Sequence, residues 1–344
     1  MYTTPYRIAP PYGMIPPEEQ QRRWEQRSLH RRGVGIGLAL LGMPALSAAF
    51  GALGTLVLGL CGIMQDRYGA EYLYLPPHIY YIYYMALYLS MVVLPFLALA
   101  LIFRLRPGEA FPARRTAHPG LVMLACVGGL SVCMMADLLN SVFSGVMETV
   151  FGLTNVGASL PLADDGLSRV LYFCIFAILP PLAEEFAFRG VVLGLLRPYG
   201  KTLAIVGSAF VFAIMHGTMA QIPFAFVGGL FFGYLAAETG SIWPSVAVHF
   251  LNNALSVAQQ FVLTDCPETT ATHVLYLTYI VATLLGLIAL VLVLRRDRYF
   301  FRAAEDRVTL LNNREKFRVF AVNAGMILAY VVVAIETVTS VQIA

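Results

Sequence analysis

The sequence predicts an all-α protein, a polytopic transmembrane helical bundle with eight or nine spans. Three observations predict it. Hydrophobic residues fill 58% of the 344 positions and charged residues only 12%, at a mean hydropathy of +0.72, which is more apolar sequence than a water-soluble core of this length requires. The apolar residues are gathered into runs close to the ~20 residues that cross a bilayer as a helix. The loops between those runs alternate between basic and acidic, as spans that cross in turn require.

The first run extends from Gly33 to Met64, with Pro44 as the expected kink. The second covers Ile79 to Phe103 and the third Gly120 to Val146. The fourth starts near Ser168 and passes through Pro180 and Pro181 to Leu196. Two shorter runs follow, Thr202 to His216 and Ile222 to Ala236, short enough to be tilted or partly re-entrant. Ile242 to Leu263, Val274 to Leu294 and Phe320 to Val338 complete the set. Residues 1–32, rich in Pro, Tyr, Gln and Arg with no short apolar core before a cleavage site, are expected to be a flexible cytosolic tail rather than a signal peptide.

Charge orients these segments. Arg22, Arg23, Arg27, Arg31 and Arg32 precede the first. Arg104, Arg106, Arg114 and Arg115 follow the second, and Arg197 and Lys201 the fourth. The stretch from Arg295 to Arg318, between the eighth and ninth, is the most basic of all. The alternate loops hold Arg67 and Arg169 and otherwise acids: Asp66, Glu71, Asp164, Asp165, Asp265 and Glu268. The N-terminus is therefore expected in the cytosol and, after nine spans, the C-terminus outside. The Arg295–Arg318 stretch sets topology and can also attract anionic lipid, at about 1 kcal/mol per basic residue near the surface.

Several classes are excluded or disfavoured. Five cysteines (Cys61, Cys126, Cys133, Cys174, Cys266) form no CxxC or zinc pattern, and four lie in apolar runs, against a disulfide scaffold. No repeat suggests a solenoid or a transporter built from matching halves, and no nucleic-acid partner is expected. Gly229 and Gly233, one turn apart, predict close helix packing.

Ionisable and strongly polar groups inside spans are costly and usually functional. Here they concentrate between Pro180 and Asn253. Glu184 and Glu185 are adjacent, so on a helix their carboxylates point about 100° apart and are expected to serve different partners. Glu185 and Arg189 are spaced i,i+4 and can pair, which leaves Glu184 to face the bundle interior as a candidate general base. The bland alternative is a structural ion pair where a helix leaves the membrane. His216 ends the fifth run and, alone, reads more often as a capping or packed residue than as a functional one. His249 and Asn253 share one face of the seventh run, while Asn252 is rotated away; for this pair polar glue between helices is the lesser alternative. The other histidines (His30, His78, His118, His273) sit in tails or at helix ends. One carboxylate, two imidazoles and an amide on neighbouring helices can hold and activate a water and stabilise an oxyanion. Asp137 and Asn140 in the third run either line that cavity or mark a helix end.

There is no HExxH helix, no credible serine nucleophile motif and no presenilin-like pair of intramembrane aspartates. The motifs present are EExxxR (Glu184, Glu185, Arg189), FxxxH (Phe212, His216) and HxxxN (His249, Asn253), flanked by Phe188-Arg189-Gly190 and by Glu238 to Ser245. In this order and spacing they resemble the CPBP family of CAAX proteases and bacteriocin-processing enzymes, also called the Abi family. The likeness covers about Pro180 to Ser256.

The resemblance implies an intramembrane endopeptidase acting on a membrane-associated peptide or protein, in a chain otherwise in contact with membrane lipid. It implies that Glu184 and His216 activate water, that His249 and Asn253 stabilise the oxyanion, and that Glu185 and Arg189 support them. The family is described both as metalloprotease and as metal-free; Glu184, His216 and His249 are the candidate ligands for a zinc ion, with the metal-free mechanism preferred. The chain then divides into the tail (1–32), N-terminal spans (33–164), catalytic helices (165–263), and C-terminal spans with a basic loop (264–344). A bacterial plasma membrane is the expected location, and a prenylated substrate is less favoured than a membrane-associated peptide. Two rival classes remain: a catalytically silent scaffold or bacteriocin-immunity factor, and a proton-coupled transporter with Glu184 and the histidines as its relay.

Overall fold

A computed structural model of the chain describes residues 16–61, 65–67, 70–72, 76–116, 118–155, 162, 165–301 and 308–343. Expectations for residues 1–15 and for Asp164, Arg302 and Arg307 lie outside these, as do the side chains of Asp66 and Glu71.

The chain is almost entirely helical. In order the helices are α1 (Pro17–Leu60), α2 (Pro77–Ile102), α3 (Pro119–Phe151), α4 (Gly166–Tyr199), α5 (Lys201–Met215), α6 (Gln221–Thr239), α7 (Trp243–Asp265), α8 (Glu268–Arg296), α9 (Asn313–Ala321) and α10 (Ala324–Thr339). Two short antiparallel pairs join β1 (Gln65–Arg67) to β2 (Ala70–Tyr72), and β3 (Leu153–Asn155) to β4 (Val341–Ile343).

Each of the nine apolar runs is helical over its described residues, but not every helix meets the requirements of a span on its own. Among the described residues, six helices (α1, α2, α3, α4, α6 and α8) are long and apolar enough to cross a membrane, or seven if α9 and α10, bent by 67° at their junction, count as one. The reason is local. Helix α5 has 15 residues, about 22 Å at ~1.5 Å per residue, against a hydrocarbon core of ~30 Å. Helix α7 carries His249, Asn252, Asn253, Ser256, Gln259 and Gln260 and is not among the six.

Helix α1 begins at Pro17, earlier than expected, so the second half of the anticipated tail is regular helix. Proline fits the first helical turn, where its missing N–H has no partner to lose, and Glu18 and Glu19 sit favourably at the positive end of the helix dipole. This charged extension is docked. Buried Glu25 accepts the backbone N–H groups of Leu310 and Leu311 at 3.0 and 3.4 Å, Arg22 pairs with Glu315, and Tyr199 donates to Ser28 at 2.7 Å.

Helix α4 runs through the centre of the bundle. Its residues Glu185–Val192 form a π-helical segment in which all but Phe186 are buried. Gly190 is required there: a Cβ would collide with the backbone carbonyl of Ala110, in the single turn Pro107–Ala110. Helices α5 and α6 pack closely beside it. A Cβ on Gly229 would stand 3.1 Å from the Phe212 ring and 3.2 Å from Ala209, and one on Gly233 would touch Ile205, so the expected small-residue packing is present.

Contacts between chain ends follow a pattern. Ala113 bridges Ser241, Lys201 reaches Glu238 at 2.7 Å, and Arg169 reaches Asp265 at 2.6 Å. With the β3–β4 pair and the docking of α1, each joins segment ends that the charge pattern assigns to the same side of the membrane.

Candidate active site

The site is built from helices α3 to α8, which place polar groups around one cavity of about 470 Å³. Glu184, His216, His249 and Asn253 all line it. The four side chains therefore converge, although they come from three different parts of the chain.

Helix α4 supplies the carboxylates. Just before Glu184 it contains Pro180 and Pro181, and neither has an N–H to donate. The carbonyl of Phe176, in the π segment Cys174–Ile178, thereby loses its partner whether the helix is counted with i+4 or i+5 bonds. Asn253 of α7 fills the vacancy: its Nδ2 donates to the Phe176 oxygen at 3.0 Å. One of its two N–H groups is thus structural, and the other remains for the cavity.

Helix α5 supplies His216 by a related device. The chain leaves the helix at His216, whose backbone N–H turns to Ala213 instead of Phe212, and Gly217 follows at φ +64°. The orphaned Phe212 carbonyl accepts Nδ1–H of His216 at 2.8 Å. This accounts for the FxxxH spacing, and it leaves Nε2 of His216 as the nitrogen with a free lone pair.

The second carboxylate does what its spacing predicts, and more. Glu185 and Arg189, both with no exposed surface, pair at 3.1 Å. The guanidinium lies 4.2 Å from the centre of the Phe212 ring and 5.2 Å from that of Phe232, and it donates to the Gly229 carbonyl at 3.3 Å. A cation set over two aromatic rings while it pairs with a carboxylate is a role that guanidinium fills better than ammonium.

Two expectations from spacing fail. Glu184 and Glu185 do share a partner: His249 donates Nδ1–H to Glu185 Oε1 at 3.0 Å, and its Nε2 lies 3.8 Å from Glu184 Oε2. Residues 100° apart on a helix can reach opposite edges of one imidazole when the ring stands between them. The ring is held there by stacking on Phe232 at 5.3 Å. Asn252 is likewise not turned away; it lines the cavity and donates to Asn253 Oδ1 at 3.2 Å.

Tyr88 of α2 was not foreseen. Its hydroxyl donates to Glu184 Oε1 in a short hydrogen bond, so the carboxylate is held between a phenol and an imidazole. The nearest signal in the sequence is the tyrosine-rich stretch Tyr80 to Tyr88, which has no spacing that points to α4. Asp137 and Asn140 of α3 do line the cavity.

The expected zinc ligands do not form a donor set. Among the described residues, no three His, Cys, Asp or Glu side chains are gathered as a metal ion requires. His249 already spends Nδ1 on Glu185, and Glu184 spends an oxygen on Tyr88. Glu184, His216 and His249 face one cavity without converging on one point, so no step through a metal is derived.

Residues 166–255, from the start of α4 into α7, match the family described as type II CAAX prenyl endopeptidase, Rce1-like. No curated protein and no solved structure matches the chain.

Proposed function

From the premise that residues 166–255 are a segment of the CPBP, or CAAX-protease, family, we propose that this multi-pass membrane protein is an intramembrane endopeptidase that hydrolyses a peptide bond of a membrane-associated protein or peptide. The observation that carries the reading is the convergence of Glu184, His216, His249 and Asn253 on one cavity of about 470 Å³.

Each group has a role that its surroundings suit. A water between the Glu184 carboxylate and Nε2 of His216 gives up a proton to Glu184 as its oxygen attacks the scissile carbonyl carbon. Tyr88 fixes the other carboxylate oxygen, so the lone pair that takes the proton is aimed into the cavity. The carbonyl oxygen becomes an oxyanion, which the second N–H of Asn253 and a protonated Nε2 of His249 stabilise. Glu185 favours that imidazolium through Nδ1, and Arg189 pairs with Glu185 from behind. The proton on Glu184 then passes to the leaving amine, and the tetrahedral intermediate collapses.

We further infer nine crossings, a cytosolic N-terminus and a bacterial plasma membrane. The contacts that tie same-side ends, such as Ala113 with Ser241 and β3 with β4, support the alternation, and they let α5 and α7 cross inside the bundle despite their length and polarity.

The test is purified protein in lipid nanodiscs with a peptide library and a Glu184→Ala control, with and without a chelator. Cleavage that the substitution abolishes and the chelator spares is expected. Solute or proton flux abolished by the same substitution would favour a transporter instead, and no effect on either would leave a scaffold.

A further inference from the structure

The cavity has a second wall that the hydrolytic reading does not use. Met134, Asp137 and Asn140 of α3 line it together, at the i, i+3, i+6 spacing of one helix face. The Asp137 carboxylate has no hydrogen bond or ion pair among the described residues. Oδ1 of Asn140 is fully buried and has no donor. These are two acceptors one turn apart on an apolar helix, the Asp137 side chain exposed at the cavity and Asn140 half-buried beside it.

The charge around them is one-sided. Glu184 and Asp137 both line the cavity, and among the described residues no lysine or arginine does. Arg189 is committed to Glu185 behind the wall. An anionic group, such as a peptide's free C-terminal carboxylate, would meet two carboxylates here and, among the described residues, no lysine or arginine. A cation with several N–H donors would satisfy both Asp137 and Asn140.

We propose that Asp137 and Asn140 form a specificity subsite for a cationic group of the substrate, a lysine or arginine side chain close to the scissile bond. The proposal rests on the endopeptidase reading and adds the substrate class. The cation neutralises Asp137 on binding, meets the Asn140 oxygen once the amide turns toward the cavity, and sets the register of the peptide against Glu184. A free peptide N-terminus offers the same ammonium chemistry and is separated from a side chain in the test.

The test uses the full chain in lipid nanodiscs and fluorogenic peptides that differ at one position flanking the cleaved bond, as Lys, Gln or Glu, each with a free or an acetylated N-terminus. The acetylated Lys peptide is expected to exceed the Gln peptide in kcat/KM by at least about fivefold, with Glu slower still. Asp137→Asn brings the Lys/Gln ratio close to one, and Asn140→Asp raises it. Equal rates on all three peptides, a Lys preference that survives Asp137→Asn, or a preference seen only with free N-termini overturns the side-chain subsite. Binding of the same peptides to Glu184→Gln separates the two readings. Charge-ordered binding lost with Asp137, without cleavage by the natural chain, keeps the subsite and removes the peptidase. Cleavage without charge ordering does the reverse, and neither binding nor cleavage removes both.

Discussion

Nδ1 of His249 lies 3.0 Å from Oε1 of Glu185, the same oxygen that Arg189 approaches to 3.1 Å. An imidazole, a carboxylate and a guanidinium therefore form one buried chain behind the cavity. Its middle member holds its neighbours by charge and by geometry at once, so replacing it separates the two effects. Glu185→Gln keeps the shape and loses the charge; kcat should fall about 10²-fold with KM nearly unchanged, because the imidazolium is needed only as the oxyanion forms. Arg189→Ala leaves Glu185 buried and unpaired and should cost about 3–5 kcal/mol of stability, read as a fall in melting temperature in nanodiscs.

Tyr88 and Glu184 give a second comparison. Glu184→Gln removes the base and should lower kcat by about 10²–10⁴-fold. Tyr88→Phe removes one hydrogen bond to a charged group and leaves the base in place, for a loss in kcat of about 10–100-fold at ~1.5–3 kcal/mol. Peptidase kinetics that ranked Tyr88→Phe level with Glu184→Gln would contradict a positioning role for the phenol.

The bond from Asn253 to the Phe176 carbonyl makes the two duties of that amide separable. Asn253→Ala should destabilise the protein by about 1–3 kcal/mol, the cost of a buried carbonyl without a donor, and abolish cleavage. Pro180→Ala restores an N–H in register with the Phe176 oxygen. The double variant should recover stability and stay inactive, a coupling that a thermal melt and an activity assay read independently.

Arg169 and Asp265 make a two-pronged ion pair, at 2.6 and 2.7 Å, between the start of α4 and the end of α7. The Arg169 hydrogen bond, with the charge behind it, holds the Asp265 carboxyl below its ordinary value. A carboxylate whose folded pKa is depressed contributes stability above its unfolded pKa of about 3.9 and loses it as pH falls through the lower, folded value. Melting temperatures of the natural chain and Asp265→Asn should thus differ slightly at neutral pH and converge on acidification below about pH 4. A gap that widened on acidification would refute the assignment. Both side chains are exposed enough for salt to narrow the gap at any pH.

The sequence by itself determined the class of protein and where its polar groups concentrate. Apolar runs of membrane length can only be helices in lipid, because every backbone group must find its partner inside its own segment. Polar side chains in such runs are few, so Glu184, His216, His249 and Asn253 stood out in combination and through the motifs they form. Glu185 with Arg189 was legible because one helical turn separates them. The tertiary structure decided what no period encodes. Tyr88 reaches Glu184 across 96 positions of chain and Asn253 reaches Phe176 across 77; both depend on which helices pack together. The two carboxylates of α4 lie at opposite edges of His249 because that ring, carried by α7, stands between them, where helix spacing by itself predicts separate partners. The short helix α5 and the polar helix α7 fall outside the six that length and composition mark as spans, because hydropathy measures contact with lipid whereas their place is set by contact with other helices.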